Sequence, residues 1–240
     1  MKNILRTILL LTLVASLHSC VIDNDIIPED VTSTTRPTPP FDGVDIRDGF
    51  KANISWGPRE RVIVEVPDEI QRYVYTDVYN GELRVTLDKG INPGSIRVKQ
   101  VYIELPYLNS ILASNNAEVY SPNRFSTNIF NIDVTSGAYV KAQIDSDRLE
   151  AIATDASDIE VYGDAGTIFT KEISGNSQFL GFKLHANNAD LFLLGQSLAE
   201  VYTTNNLKVE ASGQSTVRFI GFPSIIHKLS GGSQIVDYNR

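Results

Sequence analysis

The sequence predicts an all-β protein built as a parallel β-solenoid, and three observations carry that prediction. A short turn recurs seven times, the turns fall at a near-constant step, and the residues between them alternate apolar with polar and show no helical period. The turns read Ser114-Asn115-Asn116, Ser136-Gly137-Ala138, Thr154-Asp155-Ala156-Ser157, Ser174-Gly175-Asn176-Ser177, Leu194-Gly195-Gln196-Ser197, Ser212-Gly213-Gln214-Ser215 and Ser230-Gly231-Gly232-Ser233. With the second residue of each as marker, the steps are 22, 18, 20, 20, 18 and 18 residues. The marker is Gly, Asn or Asp in every copy, the residue types that tolerate positive φ, so each copy turns the chain through a left-handed conformation. Hairpin turns in an antiparallel sandwich would also place Gly at corners; the constant step favours the solenoid.

Residues 1–19 read as a lipoprotein signal peptide. Lys2 and Arg6 form a basic start, and Ile8 to Ala15 is an apolar run too short to span a membrane comfortably. Leu17-His18-Ser19-Cys20 resembles a bacterial lipobox, which implies cleavage before Cys20 and lipidation of its thiol and new amino group. Cys20 is the only cysteine, so no intrachain disulfide forms, and its place after the apolar run suits a lipid anchor better than redox chemistry. Residues 20–40 then read as a lipidated, Thr/Pro-rich tether, extended and able to hold the folded part up to roughly 60 Å from the membrane. Without Lys2 and Arg6 the chain has 19 basic against 29 acidic residues, which argues against nucleic acid and against anionic head groups as partners.

Residues 41–240 read as one solenoid domain, with N-terminal strands over 41–110 and repeats over 111–240. Arg61 to Val66 alternates and is stopped by Pro67; Asp68 to Tyr73 suits one helical turn; Asn80-Gly81 marks a hairpin before the strand Glu82 to Leu87. Ile96 to Leu105 reads as a longer strand stopped by Pro106. Within the repeats, the pairs Ile159/Val161, Ala199/Val201 and Val217/Phe219 fall four and six residues after their markers and are expected in the core. Seven residues after the marker come Tyr162, Phe182, Tyr202, Ile220 and Tyr238, expected to stack coil on coil. Asn187-Asn188 and Asn205-Asn206 fall 18 apart, a spacing that suits a side-chain amide ladder.

Several of these segments are also similar to a known family. Phe41 to Ile46, Phe50 to Gly57, Val62 to Val66, Asn80 to Val85 and Val101 to Leu108, followed by the Ser-Gly turns, resemble the head GIN domain, an autotransporter-adhesin family common among lipoproteins of diderm bacteria. The resemblance covers residues 41–240. It implies a right-handed β-helix-like fold and a cell-surface location, and it transfers no chemistry.

The residues themselves supply no catalytic constellation. The mature histidines, His185 and His227, lie in different repeats, and neither has a cysteine nearby, so no metal site and no cofactor are expected. Serines beside glycine repeat in every turn, which points to turn hydrogen bonding and not to a nucleophile. Asp145, Asp147, Asp155, Asp158, Glu160 and Asp164 cluster in sequence; such a patch suits calcium or an acid–base pair, with Lys141 and Arg148 the nearby cations, or simply a solvated face. Tyr162, Phe182 and Tyr202, with Asp155 and Asp158, are the ligand-contact candidates should they face outward. The reading is an outer-membrane lipoprotein of the cell envelope, surface-exposed or periplasm-facing, that acts as an adhesin or binding module for a glycan or protein. A polysaccharide-active enzyme and a purely structural envelope protein are the alternatives. The last repeat has no evident cap, so an end-to-end homo-oligomer is expected.

Overall fold

Residues with positive φ make one corner of each coil, as a consecutive pair at every such corner but one, where Gly195 (φ 72°) stands alone. In the computed structural model, which describes residues 30–239, these pairs include Asn115-Asn116 (φ 55° and 60°), Ser136-Gly137 (57° and 73°), Asp155-Ala156 (58° and 58°) and Gly175-Asn176 (66° and 64°). The second residue's N–H donates to the first residue's carbonyl in the next coil: Asn116 to Ser136 at 3.0 Å, Gly137 to Asp155 at 2.9 Å and Ala156 to Gly175 at 2.7 Å. The corners therefore stack. They also correct the register read from sequence, because the second copy turns at Ser136, one residue before its glycine. An eighth corner, Asp48-Gly49 (φ 58° and 70°), obeys the same rule, with Gly49 N–H donating to Asn115 at 2.8 Å.

The strands are β1 (Val31–Arg36), β2 (Gly43–Ile46), β3 (Lys51–Trp56), β4 (Arg61–Pro67), β5 (Val74–Tyr79), β6 (Glu82–Leu87), β7 (Gln100–Leu105) and β8 (Ser110–Ala113). The long strands follow: β9 (Glu118–Val134), β10 (Tyr139–Ala153), β11 (Asp158–Ile173), β12 (Gln178–Leu193) and β13 (Leu198–Ala211). The chain closes with β14 (Thr216–Ile220), β15 (Ser224–Leu229) and β16 (Gln234–Asp237). Strands β9 to β13 pair in parallel with their successors, β14 and β15 stack on the two halves of β13, and β16 stacks on β14. This is a parallel solenoid and not an antiparallel sandwich. Each long strand bends midway, so its first half runs in one wall and its second half in the other.

The N-terminal part takes a path the sequence did not show. β2 and β3 form one coil, but β6 and β7 stack on one side of it while β8 and β9 stack on the other. Residues 57–109 are thus an excursion that builds the terminal coil and then covers it, with β5 antiparallel to β6, β4 antiparallel to β7, and β1 antiparallel to β4. The 3₁₀ turn Asp68–Tyr73 joins β4 to β5, and Asn80-Gly81 (φ 52° and 83°) closes the β5–β6 hairpin. Gln71 ties the layer together: its amide donates to the carbonyls of Thr32 (2.7 Å) and Val64 (3.3 Å), and Arg36 donates to its carbonyl at 2.7 Å.

Two boundaries move as a result. The folded body begins at Val31, so the segment expected as free tether is a paired strand over 31–36; Cys20 and the signal segment lie outside the described residues. The strand expected from Ile96 starts only at Gln100, because a second 3₁₀ turn at Pro93–Ser95 and the buried Ile96 occupy the approach.

Side chains from both walls fill the space between them in columns. Phe130, Leu149, Ile168, Ala189 and Leu207 lie in register on successive coils and are all buried. The predicted pairs Ile159/Val161, Ala199/Val201 and Val217/Phe219 are buried as expected. So are the corner serines: Ser157 N–H donates to Ser177 Oγ at 3.0 Å, and Ser215 Oγ donates to the carbonyls of Gly195 (2.7 Å) and Ser212 (2.8 Å). The amide ladder forms at one of its two positions, where Asn206 Nδ2 donates to Asn188 Oδ1 at 2.8 Å.

Candidate ligand-binding surface

Alternation along a strand sends every second side chain outward, so the outer face of the wall carrying β3, β7 and the first halves of β9 to β13 can be read column by column. One column runs Tyr102, Asn53, Tyr120, Lys141, Glu160, Leu180, Glu200, Arg218 and Val236. A neighbouring one includes Lys51, Glu118, Tyr139 and Asp158. At its N-terminal end this face sinks into a hollow of about 400 Å³ whose lining includes Tyr102, Tyr120, Tyr162, Pro122, Asn53 and Lys141.

The tyrosines are held at their edges. Tyr120 hydroxyl donates to Glu118 at 2.8 Å, Tyr102 hydroxyl to Gln100 at 3.0 Å and Tyr139 hydroxyl to Glu160 at 2.7 Å. Tyr120 and Tyr139 rings lie 5.8 Å apart at 60°, and Lys51 Nζ sits 4.9 Å from the Tyr120 ring centre. Burial, with the Glu160 carboxylate beside it, raises the Tyr139 phenol well above its usual range. Burial pushes the Glu160 carboxyl up, but the Tyr139 hydroxyl and the Lys141 ammonium at 3.0 Å more than offset it and leave it lowered. The Tyr139 phenol therefore stays neutral and the Glu160 carboxylate charged through neutral pH. The hollow offers ring faces, one amide and one ammonium, an arrangement suited to stacking and hydrogen bonding.

The five ligand-contact candidates do not converge. Tyr162 alone lines the aromatic hollow. Tyr202 lines a separate hollow of about 360 Å³ at the second corner with Asp145, Asp147, Asp164, His185 and Asn187, and its ring is 4.8 Å from His185. Phe182 lies against Tyr238 at 5.7 Å. The expected coil-on-coil stack forms at the step from Tyr202 to Ile220 and breaks before it: Tyr162 stands opposite Lys183 and Tyr202 opposite His185, because irregularities near Tyr162 and between Gly181 and His185 shift the register. These aromatics are half-buried on the outer face, except Tyr238, which is exposed; none is a core residue.

The acidic patch also disperses. Asp155 stands at a stacked corner, where Thr135 donates to it at 3.2 Å, and burial raises the Asp158 carboxyl at the start of β11. Asp145 and Asp164 do meet, but Arg124 bridges them at 3.3 and 2.6 Å. Lys141 pairs with Glu160, and Arg148 pairs with Glu150 at 2.8 Å, so neither cation serves an acid–base pair. Among the described residues no group of three or more His, Cys, Asp or Glu is placed to hold a metal ion.

Sequence reading missed Tyr102, Tyr120 and Tyr139. Their spacings of 18 and 19 residues match the repeat, but Tyr102 precedes the first marked turn, and Asn53 stands between it and Tyr120 in space. On the opposite wall a larger, polar groove of about 720 Å³ is lined by Asn109, Asn131, Asp133, Glu150, Lys171 and Ile129 among others; burial raises its Asp133 carboxyl.

The family model described as "Putative auto-transporter adhesin, head GIN domain" matches residues 40–223. A crystal structure of a "putative adhesin" from Bacteroides fragilis has a TM-score of 0.80 at 17% identity, covering 88% of this chain and 98% of its own. A second "putative adhesin", from Parabacteroides merdae, has a TM-score of 0.69 at 16% identity and covers 86% and 95%. A "putative lipid binding protein" from Parabacteroides distasonis has a TM-score of 0.64 at 17% identity and covers 86% and 96%. At these identities the likeness shows the fold alone. No curated protein matches the chain.

Proposed function

The chain belongs to the family described as "Putative auto-transporter adhesin, head GIN domain", and from that premise we propose that it is a lipid-anchored binding module of the cell envelope, without catalytic activity, that takes a glycan in its aromatic hollow. The observation that carries the ligand class is the set Tyr102, Tyr120 and Tyr162, which line one hollow with Asn53 and Lys141, the first two held by their hydroxyl hydrogen bonds. Pyranose rings present C–H faces to such aromatics and hydroxyls to the amide and ammonium. The lipobox-like Leu17-His18-Ser19-Cys20 supports the anchoring; in this reading the protein is an outer-membrane lipoprotein whose tether is the short segment before Val31.

A glycan array probed with the full chain tests this reading. Hits should weaken about fivefold or more in Tyr120→Ala, corresponding to about 1 kcal/mol of lost ring contact, while Cys20→Ser should move the protein out of the membrane fraction. No glycan hit, or hits indifferent to Tyr120→Ala, would refute the ligand class. New reducing ends or unsaturated products would refute the non-catalytic reading, and membrane retention of Cys20→Ser would refute the anchor.

A further inference from the structure

The two ends of the solenoid differ. At the N-terminal end, β4, β5 and β1 cover the first coil, and Val62, Val64, Val66 and Val74 are buried there. At the other end the core columns stop in the open. Ile225 continues the column of Leu149, Ile168 and Leu207, each at most 1% exposed, yet is itself 39% exposed. His227 continues the column of Leu191 and Val209, and Asp237 that of Val201 and Phe219; both are exposed. Among the described residues β15 pairs only with β13 and β16 only with β14, so each presents a free edge, and Phe222 (89%) and Ile226 (72%) stand beside them.

We propose that this open end is the docking surface for a second copy of the chain, joined about a two-fold axis that sets β15 of each copy against β16 of the other. The walls run in opposite directions, so any two-fold joining the ends pairs the edges antiparallel. Charge selects among them. Like-on-like pairing brings the two Asp237 carboxylates to one seam; unlike pairing sets the strand bearing His227 against the strand bearing Asp237, twice over, while Lys228 stays on the outer face with Glu210 at 2.6 Å. An inward-facing His and Asp are hostile to a blunt edge contact, and the unlike pairing sets them against each other, adding His227 to the Asn239 N–H (2.8 Å) and Nδ2 (2.7 Å) that already donate to Asp237. Six residues of strand and two sheets 10 Å apart, with their side chains, give a footprint of about 400 Å² per copy. That is about half a standard interface, so the dimer forms reversibly and at moderate affinity.

Sedimentation velocity of the full chain in detergent, across two decades of concentration, tests the proposal. The expected result is a concentration-dependent monomer–dimer equilibrium, weakened about tenfold in His227→Asp and in Asp237→Lys and regained in the double variant. Both positions are exposed, so the variants keep the fold. A monomer at every concentration, species that grow beyond the dimer, or a dimer indifferent to both substitutions would each overturn it. The glycan array probes a different face, so either result stands without the other.

Discussion

Gly175 and Ser136 occupy equivalent corners and face different demands. Both have positive φ, at 66° and 57°. A Cβ on Gly175 would also meet the backbone nitrogen of Asp155 at 2.9 Å, so an added methyl is resisted by the preceding corner as well as by the left-handed conformation. Gly175→Ala should therefore lower stability by about 2 kcal/mol, read as a fall in the urea midpoint at constant slope. Ser136→Gly relieves left-handed strain of about 1 kcal/mol and loosens the unfolded chain by a similar amount, so its midpoint should scarcely move. A loss of only about 1 kcal/mol in Gly175→Ala, the left-handed cost by itself, would mean that φ alone, and not the close stacking of corners, sets the residue preference. The same contrast explains what the sequence showed at this scale. Gly, Asn and Asp announce a left-handed residue, so most corners were legible. Ser136 announces nothing, and the adjacent Gly137 drew the register one place too far.

Asp48 joins three elements at the point where the chain leaves and re-enters the stack. Its carboxylate accepts from Thr86 Oγ, from Leu87 N–H at 3.0 Å and from Asn115 Nδ2 at 3.1 Å, tying the corner after β2 to the end of β6 and to the corner before β9. Burial raises this carboxyl, but those donors and Arg47 outweigh it and leave it below the usual range. A carboxyl depressed in the fold adds stability that is fully present above its unfolded value, about 3.9, and is lost as pH falls through its lower folded value. Asp133 and Asp158, raised by burial, act in the opposite sense, so the comparison must be made against a variant. Asp48→Asn suits it, since asparagine tolerates the positive φ. Urea unfolding should show the variant about 1–2 kcal/mol less stable at neutral pH, with the gap closing in acid. A gap that stays constant with pH would show that the charge of Asp48 contributes nothing at this joint. At the element scale the sequence displayed β4, the 3₁₀ turn and β6 almost to the residue, because Pro67, Asn80-Gly81 and simple alternation mark them. The order of coils was hidden. The partners of β2 and β3 lie 39 and 49 residues away on one side and 67 on the other, and no local pattern records which distant strand a given strand will meet.

Across the whole molecule, nearest-neighbour stacking makes stability a property of position along the axis. A coil in the middle of a solenoid has a neighbour on each side, and a terminal coil has one. Here the N-terminal coil regains its missing neighbour from β4, β5 and β1, whereas among the described residues none covers the C-terminal coil. The aromatic hollow lies towards the covered end, with Tyr102 on the terminal coil and Tyr162 only a few coils further in. The candidate binding surface is thus placed on the firmer part of the axis, where side-chain positions are best held. Hydrogen exchange should report the gradient directly. Amides of Ser224–Leu229 and Gln234–Asp237 should exchange first in dilute protein, those of Tyr139–Leu193 last, and those of β3 and β7 late despite their terminal place. In concentrated protein the first group should slow while the others stay unchanged, because pairing of the open edges protects only the coil that lacks a neighbour. Early exchange in β3 and β7 would contradict the covering role of β4, β5 and β1. Uniform exchange along the axis would mean that the coils open as one unit, and that neither end differs from the middle in what holds it.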